Sequence, residues 1–176
     1  HKFITLWITF YINQMKKILI LLTIFGLMSC NLNDSFKGFI QDNDEKSEII
    51  VKLADSYLAG NFDMARDYFT PDGKHFFNNL EFDVDGIIDG YNSHSLIFKD
   101  IKHNDREVYT ATFTDGTVET FHDFDWSATS ILTGKEYSYP CHCRWVWVED
   151  KIASTTCYVD PAAIFEEAAI YAESQN

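Results

Sequence analysis

Positive charge is scarce in this chain. Its 176 residues hold 14 lysines and arginines against 27 aspartates and glutamates, and three of those cations (Lys2, Lys16, Lys17) fall in the first 29 residues. From Cys30 onward, 11 basic residues face all 27 acids, a surface that repels phosphate backbones and anionic lipid alike. Nucleic acid is excluded as a partner, and no basic patch is available to hold the chain at a membrane. Cysteine is sparse too, with four in total. Cys141-His142-Cys143 has the ingredients of a metal site, but a strand sends His142 to the opposite face from both thiols, and no second cluster completes a coordination shell. No metal and no cofactor is expected. Cys141, Cys143 and Cys157 are read as free, buried thiols. Internal repeats and low-complexity tracts are absent, and the one long apolar run, residues 18–28, is too short to span a bilayer.

That run has another meaning. Met15-Lys16-Lys17 opens it and Leu27-Met28-Ser29-Cys30 closes it. A charged start, a short apolar middle and a small-residue end are the layout of a secretory signal. The ending resembles a bacterial lipobox, which implies that residues 15–29 are removed and that Cys30 becomes a lipidated first residue. Residues 1–14 read as an upstream extension outside the fold, residues 30–43 as a lipid-attached spacer, and residues 44–176 as one domain with one core. The expected location is the bacterial cell envelope, with the chain lipid-anchored at the outer membrane through Cys30.

Within the domain, Asp44 can cap a helix whose Ile49, Ile50, Leu53, Tyr57 and Leu58 recur at helical spacing until Gly60 stops it. Asn61 can cap a second short helix that ends at Thr70-Pro71-Asp72-Gly73, and residues 74–78 read as a first strand. Residues 84–98 are ambiguous, because Gly86 and Gly90 weaken a helix that Ile87, Ile88 and Tyr91 support. Four strands follow, at residues 108–114, 117–132, 137–148 and 151–159, with turns at Asp115-Gly116, Gly134-Lys135 and Glu149-Asp150. Asp160 and Pro161 open a closing helix. The fold class is α+β: N-terminal helices packed in the concavity of a strongly curved antiparallel sheet, with a closing C-terminal helix.

Val148-Glu-Asp-Lys-Ile152 and Cys157-Tyr-Val-Asp-Pro161 resemble the ending of the nuclear transport factor 2-like superfamily. Tyr57-Leu-Ala-Gly-Asn-Phe-Asp-Met-Ala-Arg-Asp-Tyr-Phe69 resembles its first helix pair. The likeness spans roughly residues 47–172. The family's usual glycine after Asp150 is missing, which shortens the last turn and leaves the register of that hairpin open. The resemblance implies a cone-shaped pocket for a small, largely apolar molecule, and assembly as a homodimer through the sheet, with Tyr139, Trp145 and Trp147 as core or dimer contacts.

Alternation gives the long strands two faces. One carries His122, Phe124, Trp126, Tyr139, Cys141, Cys143, Trp145, Trp147, Ile152 and Tyr158; the other carries Asp123, Asp125, Ser127, His142, Arg144, Val146, Thr155, Cys157 and Val159. A two-residue turn at 133–134 or 134–135 sets Asp125 opposite His142 or Arg144. Composition alone makes the polar stripe the wet side of the sheet, whereas the resemblance turns it into the pocket, and both readings stand. In the pocket reading, Asp125 and His142 form the acid–base pair of a SnoaL-like or isomerase-like enzyme, and His75, Asp123, Ser127, Arg144, Cys157 and Val159 contact ligand. The isomerase-like pattern is incomplete, since Lys74-His75-Phe76-Phe77 offers no acid, and Cys157 stands where a hydrolase-like branch has an aspartate. Simple ligand binding is therefore the first expectation, enzyme chemistry the alternative, and a structural or protein-interaction surface lipoprotein the third. His122 is expected to be a satisfied core residue, with His94 and His103 solvated in loops.

Overall fold

The computed structural model describes residues 37–176, so the signal-like segment and Cys30 lie outside the described residues. Helix α1 (Glu45–Leu58) begins at a capping box. The Asp44 carboxylate accepts from the Lys46 and Ser47 amides, and the Asp44 amide donates to Ser47 Oγ. Its buried residues Ser47, Ile50, Leu53, Ala54 and Tyr57 recur at spacings of three and four, and Ile50 and Leu53 are wholly buried. Burial of that size contributes about 1.5–3 kcal/mol for each large apolar side chain. Gly60, at φ +73°, ends the helix in the left-handed region.

A 3-10 helix (Asp63–Asp67) replaces the expected second helix and leads into β2 (Phe69–Phe77) and β3 (Leu80–Asp83). The ambiguous segment is helical: α2 (Val84–Ile97) starts where Asp83 Oδ1 accepts the Gly86 amide at 2.8 Å, and it buries Ile87, Ile88, His94 and Ile97. The cap and the apolar periodicity together outweigh two glycines.

The remaining strands are β4 (Phe98–Phe113), β5 (Val118–Ser130), β6 (Glu136–Val148) and β7 (Lys151–Tyr158), closed by α3 (Ala162–Ser174). Strand β4 begins ten residues earlier than its pattern predicts, because two register shifts interrupt the alternation. Asp100 and Asp105, both at positive φ, sit within these shifts. Bulges of this kind bend and twist a strand. A further strand, β1 (Gly38–Gln41), pairs with the end of β4, so the segment read as a spacer supplies an edge of the sheet. Gly38 is required there, since a Cβ would lie 2.4 Å from the Thr112 carbonyl oxygen.

The seven strands form one sheet in the order β1-β4-β5-β6-β7-β2-β3. All pairings are antiparallel except β2 with β7, which corrects the expectation of a purely antiparallel sheet. The helices cover one face. Helix α1 lies against β4 and β5, and α2 lies against β2, β3 and β4. Ile50, Leu53 and Tyr57 join Phe98, Trp126, Trp145, Trp147 and Ile152 in a single core. Trp145 and Trp147 are therefore core residues, not contacts for a second copy.

Candidate functional site

Two local departures from regular pairing decide which side chains meet. Between β5 and β6 the chain makes a four-residue loop, 131–134, closed by Ser130 N donating to Lys135 O. Glu167 of α3 holds this loop, accepting from Ser130 Oγ at 2.6 Å, Thr133 Oγ1 at 2.8 Å and Tyr137 Oη at 2.6 Å. The expected two-residue turn is thus replaced, and the register moves along the strand without changing faces. Asp123 lies opposite His142, and Asp125 opposite Pro140 rather than His142 or Arg144.

The second departure is a bulge in the last hairpin, between Val146 and Trp147 of β6. Ile152 pairs with Trp147, yet Ser154 pairs with Val146, so the extra residue reverses the parity of β7. Thr155 and Cys157 therefore turn inward with Trp145 and Cys143, and Tyr158 turns outward, the reverse of plain alternation. Glu149 takes a positive φ of 54° in this turn, and Lys46 Nζ steadies it by donating to the Glu149 carbonyl at 2.7 Å. One consequence was not foreseen from the sequence. Cys143 and Cys157 face each other across β6 and β7 and form a disulfide, so the reading of free thiols holds only for Cys141.

The Asp/His/Arg stripe occupies the face away from the helices. His142 Nδ1 and Asp123 Oδ1 are hydrogen-bonded, with side chains 43% and 37% exposed, and Tyr109 Oη donates to Asp123 Oδ2 at 3.3 Å. Arg144 pairs with Glu119 at 3.6 Å, and Ser127 Oγ accepts from Asn104. Asp123, Asp125 and His142 share a shallow depression with Asp105, Glu107, Pro140 and Tyr158. Beside it, Tyr109, Phe121, His142 and Tyr158 form an aromatic row across four strands, with ring centroids 5.3, 5.8 and 6.5 Å apart.

A narrow, partly open cavity lies on the other face, between the sheet and the helices. Tyr57, Phe62, Phe77, Tyr91, Phe124, Trp126 and Trp145 supply its aromatic wall, and Cys141, the Cys143–Cys157 disulfide, Val159 and Ile164 supply its smaller apolar contacts. Ala54 of α1, His94, His103 and His122 complete it, and a neighbouring chamber across Tyr91 includes His75. Of the residues singled out from sequence, His75, Cys157 and Val159 reach this interior.

Every titratable group in the wall is neutral near pH 7. Burial lowers His75 and His94 to about 4 and His103 and His122 to about 3, and the nearby Arg106 guanidinium adds to the lowering of the last two. Burial raises the phenols of Tyr57 and Tyr91, and pushes the Cys141 thiol up to about 12. Tyr57 Oη accepts from Trp126 Nε1 at 2.9 Å and lies 3.0 Å from His94 Nδ1. His75 bridges Thr155 Oγ1 at 2.8 Å and Tyr91 Oη at 3.3 Å. No lysine, arginine, aspartate or glutamate lines either chamber. Among the described residues, no three His, Cys, Asp or Glu side chains gather as a metal would require.

No protein-family model matches the sequence, and no curated protein matches it. Solved structures do match. A candidate isomerase from Bacillus subtilis aligns with 72% of this chain and 96% of its own, at TM-score 0.57 and 15% identity. A candidate polyketide cyclase from Xanthomonas campestris pv. campestris aligns over 70% and 96%, at TM-score 0.56 and 12% identity. A Catenulispora acidiphila protein with a ketosteroid isomerase-like fold, in complex with trimethylamine, aligns over 63% and 84%, at TM-score 0.53 and 13% identity. The chain has the nuclear transport factor 2-like fold. At these identities the likeness is one of fold, and the activities belong to those proteins.

The sequence reading missed Tyr57, Tyr91, His94 and His103 as cavity residues. His94 was legible in principle, since it continues the helical series of Ile87, Tyr91 and Ile97. His103 was hidden by the bulges of β4. It packs on Phe124 with ring centroids 3.8 Å apart instead of standing in solvent.

Proposed function

We propose that this chain is an exported, lipid-anchored domain that binds a small, uncharged, largely apolar molecule in the cavity between its helices and its sheet. One observation carries the binding site: an aromatic wall whose only polar groups are neutral. An ion entering such a space would leave water without a countercharge, whereas an apolar molecule gains by burial. The alternative, isomerase-like or cyclase-like chemistry by Asp125 and His142, has less support. Asp125 is exposed and lies opposite Pro140 rather than His142, whose side chain is itself 43% exposed, and water weakens the field that makes a buried carboxylate and imidazole useful in proton transfer. Within the cavity, histidines that stay neutral down to about pH 4 are weak bases. For a homodimer, the aromatic row of the outer face is the surface we assign.

Titration calorimetry with cumene (isopropylbenzene) tests the site. Saturable binding is expected for the native protein, for Asp123→Asn and for His142→Gln, and its loss is expected for Ala54→Phe, which fills the cavity from α1. Loss in the two outer-face variants with retention in Ala54→Phe would overturn the proposal. Export and anchoring rest on the lipobox-like ending at Cys30 and gain support from a disulfide, which needs an oxidising compartment to persist. Cys30→Ala should abolish fatty-acid labelling, and persistent labelling would refute the anchor.

A further inference from the structure

Three buried nitrogens of residues in the cavity wall have nothing to bond: Trp145 Nε1, His122 Nε2 and, behind them, His103 Nδ1. Trp145 is 4% exposed and His122 3%, and neither Trp145 Nε1 nor His122 Nε2 has a hydrogen-bond partner. Their neighbours show that this is not a general looseness of the core. Trp126 Nε1 donates to Tyr57 Oη at 2.9 Å, Trp147 Nε1 to Thr120 Oγ1 at 2.8 Å, and His94 and His75 each have a hydroxyl partner. Buried polar groups are ordinarily paired, so unpaired nitrogens gathered in residues of one cavity wall mark where a ligand or an ordered water completes the set. His122 lies opposite Cys143, and Trp145 is two residues further along β6 on the same face, so the two side chains are diagonal neighbours across the strand pair.

We propose, resting on the reading of the cavity as a small-molecule site, that Trp145 and His122 jointly anchor the uncharged, carboxamide-like head of an otherwise apolar ligand. An indole N–H only donates, so the ligand must bring an acceptor. A neutral imidazole nitrogen accepts or donates according to its tautomer, and a carboxamide meets it in either state through its N–H or its carbonyl oxygen. A carboxylate would satisfy Trp145 as well, but the wall holds no cation to offset its charge. An ammonium would find no carboxylate. The apolar remainder of the ligand packs on Phe124, Trp126 and Tyr57.

Three probes of similar shape separate these cases: benzamide, cumene and benzoate, each titrated into the full-length protein. Calorimetry gives affinities, and the indole N–H signals in ¹H–¹⁵N spectra report contact. Benzamide should bind roughly tenfold more tightly than cumene, the ratio expected for one well-made buried hydrogen bond. Benzoate should bind less tightly than either. The Trp145 Nε1–H resonance should move downfield with benzamide and not with cumene. In Trp145→Phe the preference for benzamide over cumene should vanish while cumene still binds. If that variant does not fold, the native spectra decide alone. Equal affinity for benzamide and cumene, or a Trp145 signal unmoved by benzamide, overturns the anchor and leaves the cavity reading intact. Binding of neither probe overturns both.

Discussion

Glu167→Ala is expected to lower the unfolding free energy by about 3–5 kcal/mol, the largest loss from any single truncation proposed for this domain. Glu167 is 2% exposed and accepts three short hydrogen bonds from hydroxyls of Ser130, Thr133 and Tyr137. Removing it strands those hydroxyls in a dry site, which costs more than the bonds themselves contribute. The loss is structural as well, because this carboxylate fastens α3 to the loop that sets the β5–β6 register. Burial alone would raise its pKa, but the hydrogen bonds from Ser130, Tyr137 and Thr133, helped by Lys135, outweigh it and hold the group below its ordinary value of 4.5. The sign follows. A carboxyl depressed in the folded state stabilises fully above its unfolded pKa, and that contribution fades as pH falls below about 4.5 through the folded value. Urea unfolding at pH 7 and at pH 3.5 checks this: the gap between native protein and Glu167→Gln should narrow on acidification. A gap that is already absent at pH 7 would show the network to be ornamental.

Reduction of the Cys143–Cys157 disulfide is the second large effect. The crosslink spans a sequence separation of 14, for which loss of the constraint on the unfolded chain costs about 3 kcal/mol. Because the two cysteines face each other directly across adjacent strands, the reduced protein should keep its fold and unfold at a clearly lower urea concentration. Cys143→Ala with Cys157→Ala should reproduce the shift and make the midpoint insensitive to reductant. A midpoint that dithiothreitol leaves unchanged in the native protein would mean that the bridge does not form. It would also remove the independent support for an oxidising compartment.

What the sequence made legible follows from how local each signal is. The helix cap at Asp44, the spacing of Ile50, Leu53 and Tyr57, and the turn at Gly116 are fixed by neighbours a few residues apart, and all were readable. The two faces of β5 and β6 were also correct, since alternation survives a register shift of two. What failed was long-range or irregular. The Glu167 contact that sets the β5–β6 loop comes from over 30 residues away in sequence, so the pairing of Asp123 with His142 could not be read from the turn. The extra residue in the last hairpin leaves no mark in composition, yet it turns Cys157 inward and creates the disulfide. The bulges at Asp100 and Asp105 likewise broke the pattern that would have brought His103 into the wall. The position of the site itself hinged on one ambiguity. A face rich in aromatics can be core or pocket, and here it is both, with the helices leaving a gap above the same side chains that close the core.

The most direct test follows the histidine side-chain NMR signals of the native protein while cumene is added. These rings divide cleanly between the two candidate sites. His94, His103 and His122 line the cavity, and His142 stands on the outer face beside Asp123. The expected result is that the signals of the three cavity histidines move together and saturate at one affinity, while that of His142 stays in place. Movement of His142 with the cavity rings unmoved would contradict the assignment of the site to the interior and return it to the Asp/His stripe.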